Sequence, residues 1–185
     1  PPSHGNKSPP LCCGSGCRRC ALGGHLPKAR GIFADISPEA LSVTRKNISL
    51  HRLNPRAVAL EADALAPPPL RMQNFDLIAC NPPYITEEEC QALDTSVRDW
   101  EPMLALDGGE DGLVFYRSVL QNWKSVLKDG GWIIFEVGEG QAADVRALLL
   151  EAGFHNLGCT LDTLGTERVI YAQKKKPIPT DSEEM

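Results

Sequence analysis

The chain has 185 residues and a mass of 20.1 kDa, a size that fits one domain and excludes two full ones. Its 42% hydrophobic and 23% charged residues exclude a collagenous or wholly disordered protein. No apolar run reaches the ~18 residues that a bilayer span requires, so we predict no transmembrane helix. The first residues (PPSHGNKSPP) lack the apolar core of a secretion signal.

Charge and cysteine content indicate the class of partner and the compartment. The net charge is -5, which disfavours a protein that grips a phosphate backbone. Residues 1–34 hold five basic and no acidic residues, so the rest of the chain carries the acidic excess. The seven cysteines are odd in number and follow no signal peptide, which favours reduced thiols in a cytosol-like compartment. We expect a cytoplasmic protein, or a mitochondrial matrix protein in a eukaryote.

The predicted elements begin at residue 31. Residues 31–35 (GIFAD) are a short apolar run that ends in an acid, which predicts a buried strand. Ser37 is the predicted N-cap of a helix with Pro38 at its first position, and this helix should run to about Leu50. Residues 56–61 predict a second strand.

The middle of the chain predicts a third strand, a long helix and a fourth strand. Residues 75–80 (FDLIAC) predict the third strand, and residues 87–93 predict one helical turn. An amphipathic helix is predicted from five apolar residues at helical spacing: Leu113, Tyr116, Leu120, Trp123 and Leu127. Residues 129–131 (DGG) should end this helix, and residues 132–137 predict the fourth strand.

The last predicted elements are a second amphipathic helix and a hairpin. The helix is indicated by the spacing of Ala142, Val145, Leu148 and Leu149. Gly153 should close it. Residues 154–160 and 167–173 then form a closing hairpin, and residues 174–185 form a disordered tail.

Strands that alternate with helices predict an α/β fold, a doubly wound, mostly parallel sheet with helices on both faces. Such sheets bind ligands at the carboxyl ends of their strands. Asp35, Asp63 and Asn81 come at or just after the ends of predicted strands, so we expect the functional site there. Gly14 and Gly16 form a Gly-x-Gly turn about 20 residues before Asp35, a spacing typical of nucleotide sites and also of ordinary turns.

A specific motif follows the third strand, where Asn81, Pro82, Pro83 and Tyr84 occur in succession. The motif resembles that of the HemK/PrmC family, the S-adenosylmethionine-dependent release factor glutamine N5-methyltransferases. Further matching segments are residues 35–40, 75–85, 97–102, 105–112, 131–132 and 167–169. The resemblance is dense over residues 31–173 and poor over residues 11–30. It implies a Rossmann-like, seven-stranded methyltransferase sheet with an antiparallel closing strand.

The activity implied by the resemblance is transfer of a methyl group to the side-chain amide nitrogen of a glutamine. This glutamine lies in the Gly-Gly-Gln loop of peptide-chain release factors. An amide nitrogen is a poor nucleophile because its lone pair is delocalised. The Asn81 side chain and the Pro82 carbonyl can accept its two N–H groups and aim the lone pair, while Pro83 stiffens the chain and Tyr84 offers a flat face. Catalysis would then be positioning without a strong base.

The resemblance also implies a set of S-adenosylmethionine-binding residues. Asp35 would bind the ribose hydroxyls, and Asp63 with Ala64 would border the adenine. The implied set is completed by Cys12, Gly14, Gly16 and Asn81. The acidic loop of residues 107–112 would either seat the substrate or be a solvated turn.

The N-terminal region departs from the family pattern. Pro10 occupies the position expected for an acid that meets the cofactor, and the helical domain with which the family holds its substrate is missing. We therefore expect a catalytic-domain fragment or a divergent form. The expected divisions are an atypical basic head (1–30), a methyltransferase domain (31–173) and the tail, in a monomer that does not bind membranes.

Two alternatives remain open. Cys13, Cys17 and Cys20, with Cys12 and His25 nearby, could form a zinc site in a binding module that no longer catalyses. Their crowding into one short segment argues against this, and we expect no metal. Adenine N6-methylation of DNA or RNA poses the same lone-pair problem as an amide, but the acidic body favours a protein glutamine over nucleic acid.

Overall fold

The computed structural model describes residues 28–70, 72–92 and 103–176. Within these ranges the strands are β1 (Gly31–Asp35), β2 (Ala57–Glu61), β3 (Phe75–Cys80), β4 (Leu127–Glu136), β5 (Phe154–Leu161) and β6 (Glu167–Lys174). The α-helices are α1 (Pro38–Leu50), α2 (Glu87–Ala92), α3 (Val114–Ser118) and α4 (Ala142–Glu151), and a 3-10 turn spans Met103–Ala105. Cys12, Gly14 and Gly16, the cysteines of the zinc hypothesis and the tail beyond residue 176 lie outside the described residues.

The strands form two sheets. β1 pairs with β2 in parallel, and the other four strands follow the order β3-β4-β6-β5. β3 and β4 are parallel, whereas β6 runs antiparallel to both β4 and β5. The predicted hairpin at the end of the chain is confirmed. Instead of one seven-stranded sheet, the described residues show a two-stranded and a four-stranded sheet.

The first helix begins as its sequence predicts. The Ser37 hydroxyl oxygen accepts a hydrogen bond from the Ala40 backbone N–H at 3.1 Å, and Pro38 is the first helical residue. Proline has no backbone N–H. It is tolerated there because an N–H in the first turn of a helix would have no intrahelical acceptor. Helix α1 then runs to Leu50 and buries Leu41, Thr44 and Ile48.

The predicted helix over residues 113–127 is confirmed as a helical segment up to Val126, but only its first part is α-helical. Helix α3 ends at Ser118 and continues as a π-helical turn (Val119–Trp123) and a 3-10 turn (Lys124–Val126), and β4 begins at Leu127. Leu127 is buried in the strand. Its apolar character therefore fits either element, and the helical spacing extended the prediction too far.

Residues 129–131 do not end a helix but form an irregularity inside β4. The pairing between β3 and β4 steps from Phe75 opposite Leu127 to Leu77 opposite Trp132, so the extra residues bulge from the ladder. Gly130 has a φ of +78°, a conformation that favours glycine. Gly130 and Gly131 thus allow the irregular backbone near the start of β4.

The larger of two hydrophobic clusters in the described ranges joins the two sheets. Its members include Ala34 of β1, Ala64 after β2 and Cys80 of β3, with Tyr116 and Trp123 of the helical segment beneath them. Because these residues pack together, the carboxyl ends of three strands lie against one core. No helix in the described ranges is long and apolar enough to cross a bilayer.

Candidate active site

The Asn81–Tyr84 segment leaves β3 at its carboxyl end, as predicted. Cys80, the last strand residue, is 4% exposed and belongs to the core. Pro82 and Pro83 are buried, whereas Asn81 and Tyr84 are half-buried. The motif therefore stands on a rigid base and keeps its two polar side chains partly accessible.

The backbone of Tyr84 is held by a residue of the segment between β4 and α4. The Gln141 side-chain Nε2 donates to the Tyr84 carbonyl oxygen at 2.9 Å, and its Oε1 accepts from the Gly138 backbone N–H at 3.0 Å. A Cβ at Gly138 would come within 2.9 Å of the Tyr84 ring. Glycine at this position thus lets the ring lie against the end of β4.

The loop of residues 107–112 packs against the same motif. The Gly108 backbone N–H donates to the Ile85 carbonyl oxygen at 2.7 Å, and the Ile85 N–H donates to the Leu106 carbonyl oxygen at 3.0 Å. A Cβ at Gly112 would lie 2.4 Å from the Tyr84 carbonyl oxygen, so only glycine fits this close approach. The loop contacts the backbone of the motif and is more than a solvated turn.

An ion pair closes this loop. Both terminal nitrogens of Arg117 donate to the Asp111 carboxylate at 2.8 Å. The Asp111 carboxylate also accepts from the Leu113 backbone N–H at 3.0 Å. The hydrogen bonds from Arg117 are the main reason that the pKa of Asp111 falls to about 2. Asp111 therefore keeps its charge throughout the physiological pH range.

A backbone hydrogen bond just beyond the paired ends of β1 and β2 brings Asp35 near the residue before Asp63. The Asp35 carbonyl oxygen accepts from the Ala62 N–H at 3.0 Å, which extends the β1–β2 pairing toward Asp63. The Asp35 side chain accepts from the Ser37 N–H at 2.9 Å, and that of Asp63 accepts from the Leu65 N–H at 2.8 Å. Each carboxylate is thus oriented by a turn of its own chain.

Residues next to three of the predicted site residues belong to one hydrophobic cluster. Ala34 precedes Asp35, Ala64 follows Asp63, and Cys80 precedes Asn81, and all three flanking residues belong to the same cluster. In the described ranges no group of three His, Cys, Asp or Glu side chains is suited to a metal ion. The arrangement offers carboxylates and an amide on an apolar base.

Comparison with known proteins identifies the family. The family model of the methyltransferase small domain matches residues 3–134. The chain belongs to this family. The match includes Gly14 and Gly16, β1 to β3, the Asn81–Tyr84 motif and most of β4.

Curated relatives and solved structures agree with this methyltransferase domain. The release factor glutamine methyltransferase of Clostridium botulinum is 40% identical over 164 residues, which cover 89% of this chain and 58% of that protein. That of Geobacter sulfurreducens is 39% identical over 157 residues, covering 85% and 54%. The methyltransferase domain described here therefore spans somewhat more than half the length of these relatives.

Solved structures show a methyltransferase Rossmann-like fold. A predicted O-methyltransferase from Agrobacterium tumefaciens matches with a TM-score of 0.67 at 18% identity, over 95% of this chain and 76% of that one. The hMettl16 catalytic domain in complex with MAT2A 3'UTR hairpin 6 matches with a TM-score of 0.69 at 15% identity, over 94% and 66%. At these identities the likeness concerns the fold alone.

Tyr116 lies beneath the motif of the methyltransferase domain. It is fully buried, and its hydroxyl donates to the Glu136 carbonyl oxygen at 2.9 Å. Burial raises the pKa of this phenol, and the nearby Cys80 and Tyr84 add to the effect. Tyr116 therefore stays protonated and serves as a hydrogen-bond donor, not as a base.

Cys90 is a second buried group near the motif. It is 2% exposed on α2, and burial raises the pKa of its thiol, with Asp107 and two glutamates of α2 adding to the effect. A thiol with a raised pKa is a poor nucleophile. Cys90 is accordingly a buried packing residue of α2.

Sequence reasoning did not identify Gly138, Gln141 or Ser118 as part of the site. The rule that selected Asn81 also applies to β4, since Glu136 ends that strand and Gly138 follows it. Applied to every strand, this rule would have included Gly138. Gln141 acts through hydrogen bonds to the backbone, and the Ser118 hydroxyl likewise donates to the carbonyl oxygen of Ala64. The sequence holds no pattern for such contacts.

Proposed function

We propose that this chain is the catalytic domain of an S-adenosylmethionine-dependent release factor glutamine N5-methyltransferase. The observation that carries the proposal is the half-buried Asn81 directly after β3. Tyr84 of the same motif is held by the side chain of Gln141, which lies 57 residues further along the chain. Relatives bearing the release factor glutamine methyltransferase name, at 32–40% identity over most of this chain, support it.

The residues at the strand ends fit the methyl donor. Carboxylates such as Asp35 accept hydrogen bonds from ribose hydroxyls, and the oriented Asp63 can border the adenine beside the small, buried Ala64. When bound, S-adenosylmethionine supplies an electrophilic methyl group on a positively charged sulfur. Cys12, Gly14 and Gly16 complete the proposed cofactor-binding set from the sequence.

The proposed mechanism is positioning of the glutamine amide. The Asn81 side-chain oxygen accepts one amide N–H, and the Pro82 carbonyl accepts the other. Pro82 has no N–H of its own to compete for the substrate, and Pro83 keeps the chain stiff. The Tyr84 ring packs on the planar amide. Once the glutamine amide is fixed, its nitrogen lone pair points in one direction. The entropic cost of aligning the amide is then met when the substrate binds.

The charge around the motif favours a protein substrate over a nucleic acid. Three consecutive exposed glutamates, Glu87, Glu88 and Glu89, form the first turn of α2 immediately after the motif. Glu110 and Asp111 are exposed on the neighbouring loop. Such a rim repels a phosphate backbone, whose binding requires basic side chains.

The proposal extends to the sheet and to the domain limits. Among the described strands, β1 pairs only with β2, and β3 pairs only with β4. One further strand between β1 and β3 would join the two sheets into a single sheet of seven strands. We take residues 31–173 as the main body of the domain, with residues 1–30 as its head and residues 174–185 as a tail. A monomer acting in the cytoplasm agrees with this function.

The test is methyl transfer to two substrates in parallel. The purified chain is incubated with S-adenosylmethionine and either a bacterial release factor or an adenine-containing oligonucleotide, and products are analysed by mass spectrometry. We expect the mass of one added CH2 on the glutamine of the Gly-Gly-Gln loop, and about 10²-fold slower transfer in the Asn81→Ala variant. Transfer to the oligonucleotide alone would assign the chain to adenine methylation.

A second arm addresses the length of the relatives. The chain is fused behind the N-terminal part of the Clostridium botulinum relative that it does not match. We expect kcat/KM for the release factor to rise, chiefly through KM, because the added part would contribute binding and not chemistry. Equal kcat/KM with and without the fusion would show that the catalytic domain recognises its substrate by itself.

A further inference from the structure

Gln141 links three segments of the site through one side-chain amide. It lies directly before α4, and its Nε2 donates to the Tyr84 carbonyl oxygen at 2.9 Å and more weakly to that of Gly112 at 3.4 Å. Its Oε1 accepts from the Gly138 N–H at 3.0 Å. A backbone N–H only donates and a carbonyl only accepts, so these partners fix which end of the amide faces which segment.

Two glycines that lie close to the Gln141 side chain restrict the orientation of its amide. A Cβ at Gly112 would come within 2.5 Å of the Gln141 nitrogen, and a Cβ at Gly138 within 2.8 Å of its oxygen. Two glycines therefore border the amide on both sides, and a methyl group on either would displace it. The surroundings are built for close contact with Gln141, and the amide has little freedom to turn.

We propose that Gln141 is a positioning residue for methyl transfer, which sets the orientation of the Tyr84 carbonyl and thereby the aim of the whole Asn81–Tyr84 segment; this inference rests on the proposed function. The two prolines transmit the constraint, because their fixed φ angles leave few ways to bend between Tyr84 and Asn81. Rotation of the Tyr84 peptide would therefore shift the Pro82 carbonyl and the Asn81 amide together.

The chain offers a matched control in Gln173. This residue of β6 is also half-buried, its Nε2 donates to the Gly130 carbonyl oxygen at 2.8 Å, and its Oε1 accepts from Asn156 at 2.9 Å. It bridges a backbone carbonyl to the Asn156 side chain, at the end of the sheet where β4 begins. Gln173→Leu therefore reports the general cost of removing a bridging glutamine.

The first test separates kcat from binding. In Gln141→Leu we expect kcat on a release factor to fall about 10- to 100-fold, since a displacement of about 1 Å has an effect of that order, while the Kd for S-adenosylmethionine changes less than about 2-fold. Gln141→Glu keeps an acceptor for Gly138 but sets a carboxylate oxygen against the Tyr84 carbonyl, so it should lose as much kcat. Gln173→Leu should keep its kcat. Full kcat in Gln141→Glu would overturn the proposal, as would an equal loss in Gln173→Leu.

The second test needs no turnover, so it distinguishes failure of this inference from failure of the proposed function. Backbone amide resonances of Asn81, Tyr84 and Ile85 are compared between the wild type and both Gln141 variants by NMR without ligand. We expect clear shifts and faster hydrogen exchange at Ile85 in both variants, and at Gly138 in Gln141→Leu alone. Unchanged resonances across the motif would overturn the positioning role, whether or not the chain methylates release factor.

Discussion

The hydroxyl of Ser118 donates a hydrogen bond of 2.9 Å to the carbonyl oxygen of Ala64, a residue 54 positions earlier in the chain. Asn122, one turn further along, donates to the Ser118 hydroxyl oxygen at 3.1 Å and to the Leu65 carbonyl oxygen at 3.2 Å. The end of α3 and the π-helical turn after it thus hold the chain that leaves β2. That chain carries Asp63 and Ala64, which we propose to border the adenine.

Ser118→Ala is expected to weaken both the fold and the cofactor site. The Ala64 carbonyl would lose its donor, which lowers the free energy of unfolding by about 1 kcal/mol. The Kd for S-adenosylmethionine should rise several-fold because the segment after β2 loses a fixed point. Urea unfolding and calorimetry measure the two effects. Ser125→Ala, on the same helical segment and with a hydroxyl contact of 3.4 Å on the surface, should change neither.

Asp35 is expected to contribute to cofactor binding beyond its structural hydrogen bond. Asp35→Ala removes the acceptor for the Ser37 N–H, whereas Asp35→Asn retains an acceptor there. If the carboxylate binds ribose hydroxyls, both variants should raise the Kd for S-adenosylmethionine by about 10-fold or more, because hydrogen bonds to charged groups contribute about 1.5–3 kcal/mol. Only Asp35→Ala should also lower the melting temperature. Unchanged affinity in Asp35→Asn would remove Asp35 from the site.

The order of strands and helices could be predicted because short apolar runs alternate with amphipathic segments. The strand of residues 75–80 and the N-cap at Ser37 were predicted at the residues where the structure has them. The helix over residues 113–127 was extended too far because Leu127 is apolar in either element. The contacts of Gln141 could not be predicted, since its single amide reaches backbone groups 57 and 29 residues earlier in the chain.

The ion pair between Asp111 and Arg117 predicts a pH dependence of stability. The pKa of Asp111 is lowered in the folded protein from 3.8 to about 2, so its stabilising effect is complete above the unfolded value and is lost as the pH falls toward about 2. Both side chains are nearly half exposed, at 48% and 44%, so screening limits the effect to about 1 kcal/mol or less.

Asp111→Asn isolates this pair, because an asparagine oxygen can still accept from the Leu113 N–H. The variant should melt below the wild type near neutral pH, and the difference should shrink as the solution is acidified. Added salt should reduce the difference as well. Melting curves measured along a pH series at low and high salt test this. A difference that stays constant with pH would mean that the carboxylate charge contributes nothing.

Asn81 provides the most direct test of the chemistry. In Asn81→Ala the substrate amide loses one acceptor and can rotate, and misalignment costs most at the transition state, so we expect kcat to fall about 10²-fold. Asn81→Asp keeps an acceptor but adds a negative charge near the positively charged sulfur. The cofactor should then bind as well or better while methyl transfer remains slow. Because Asn81 is half-buried at a strand end, both variants should melt close to the wild type.

The measurement for both Asn81 variants is single-turnover methyl transfer to a peptide that carries the Gly-Gly-Gln loop, which separates chemistry from product release. Binding of S-adenosylmethionine is measured by calorimetry on the same samples. A slow single turnover with intact cofactor binding is the expected result for both substitutions, and a normal Kd with a normal rate in Asn81→Ala would contradict the mechanism. Undiminished transfer would mean that the amide is aligned without the Asn81 side chain, by the Pro82 carbonyl and the Tyr84 ring alone.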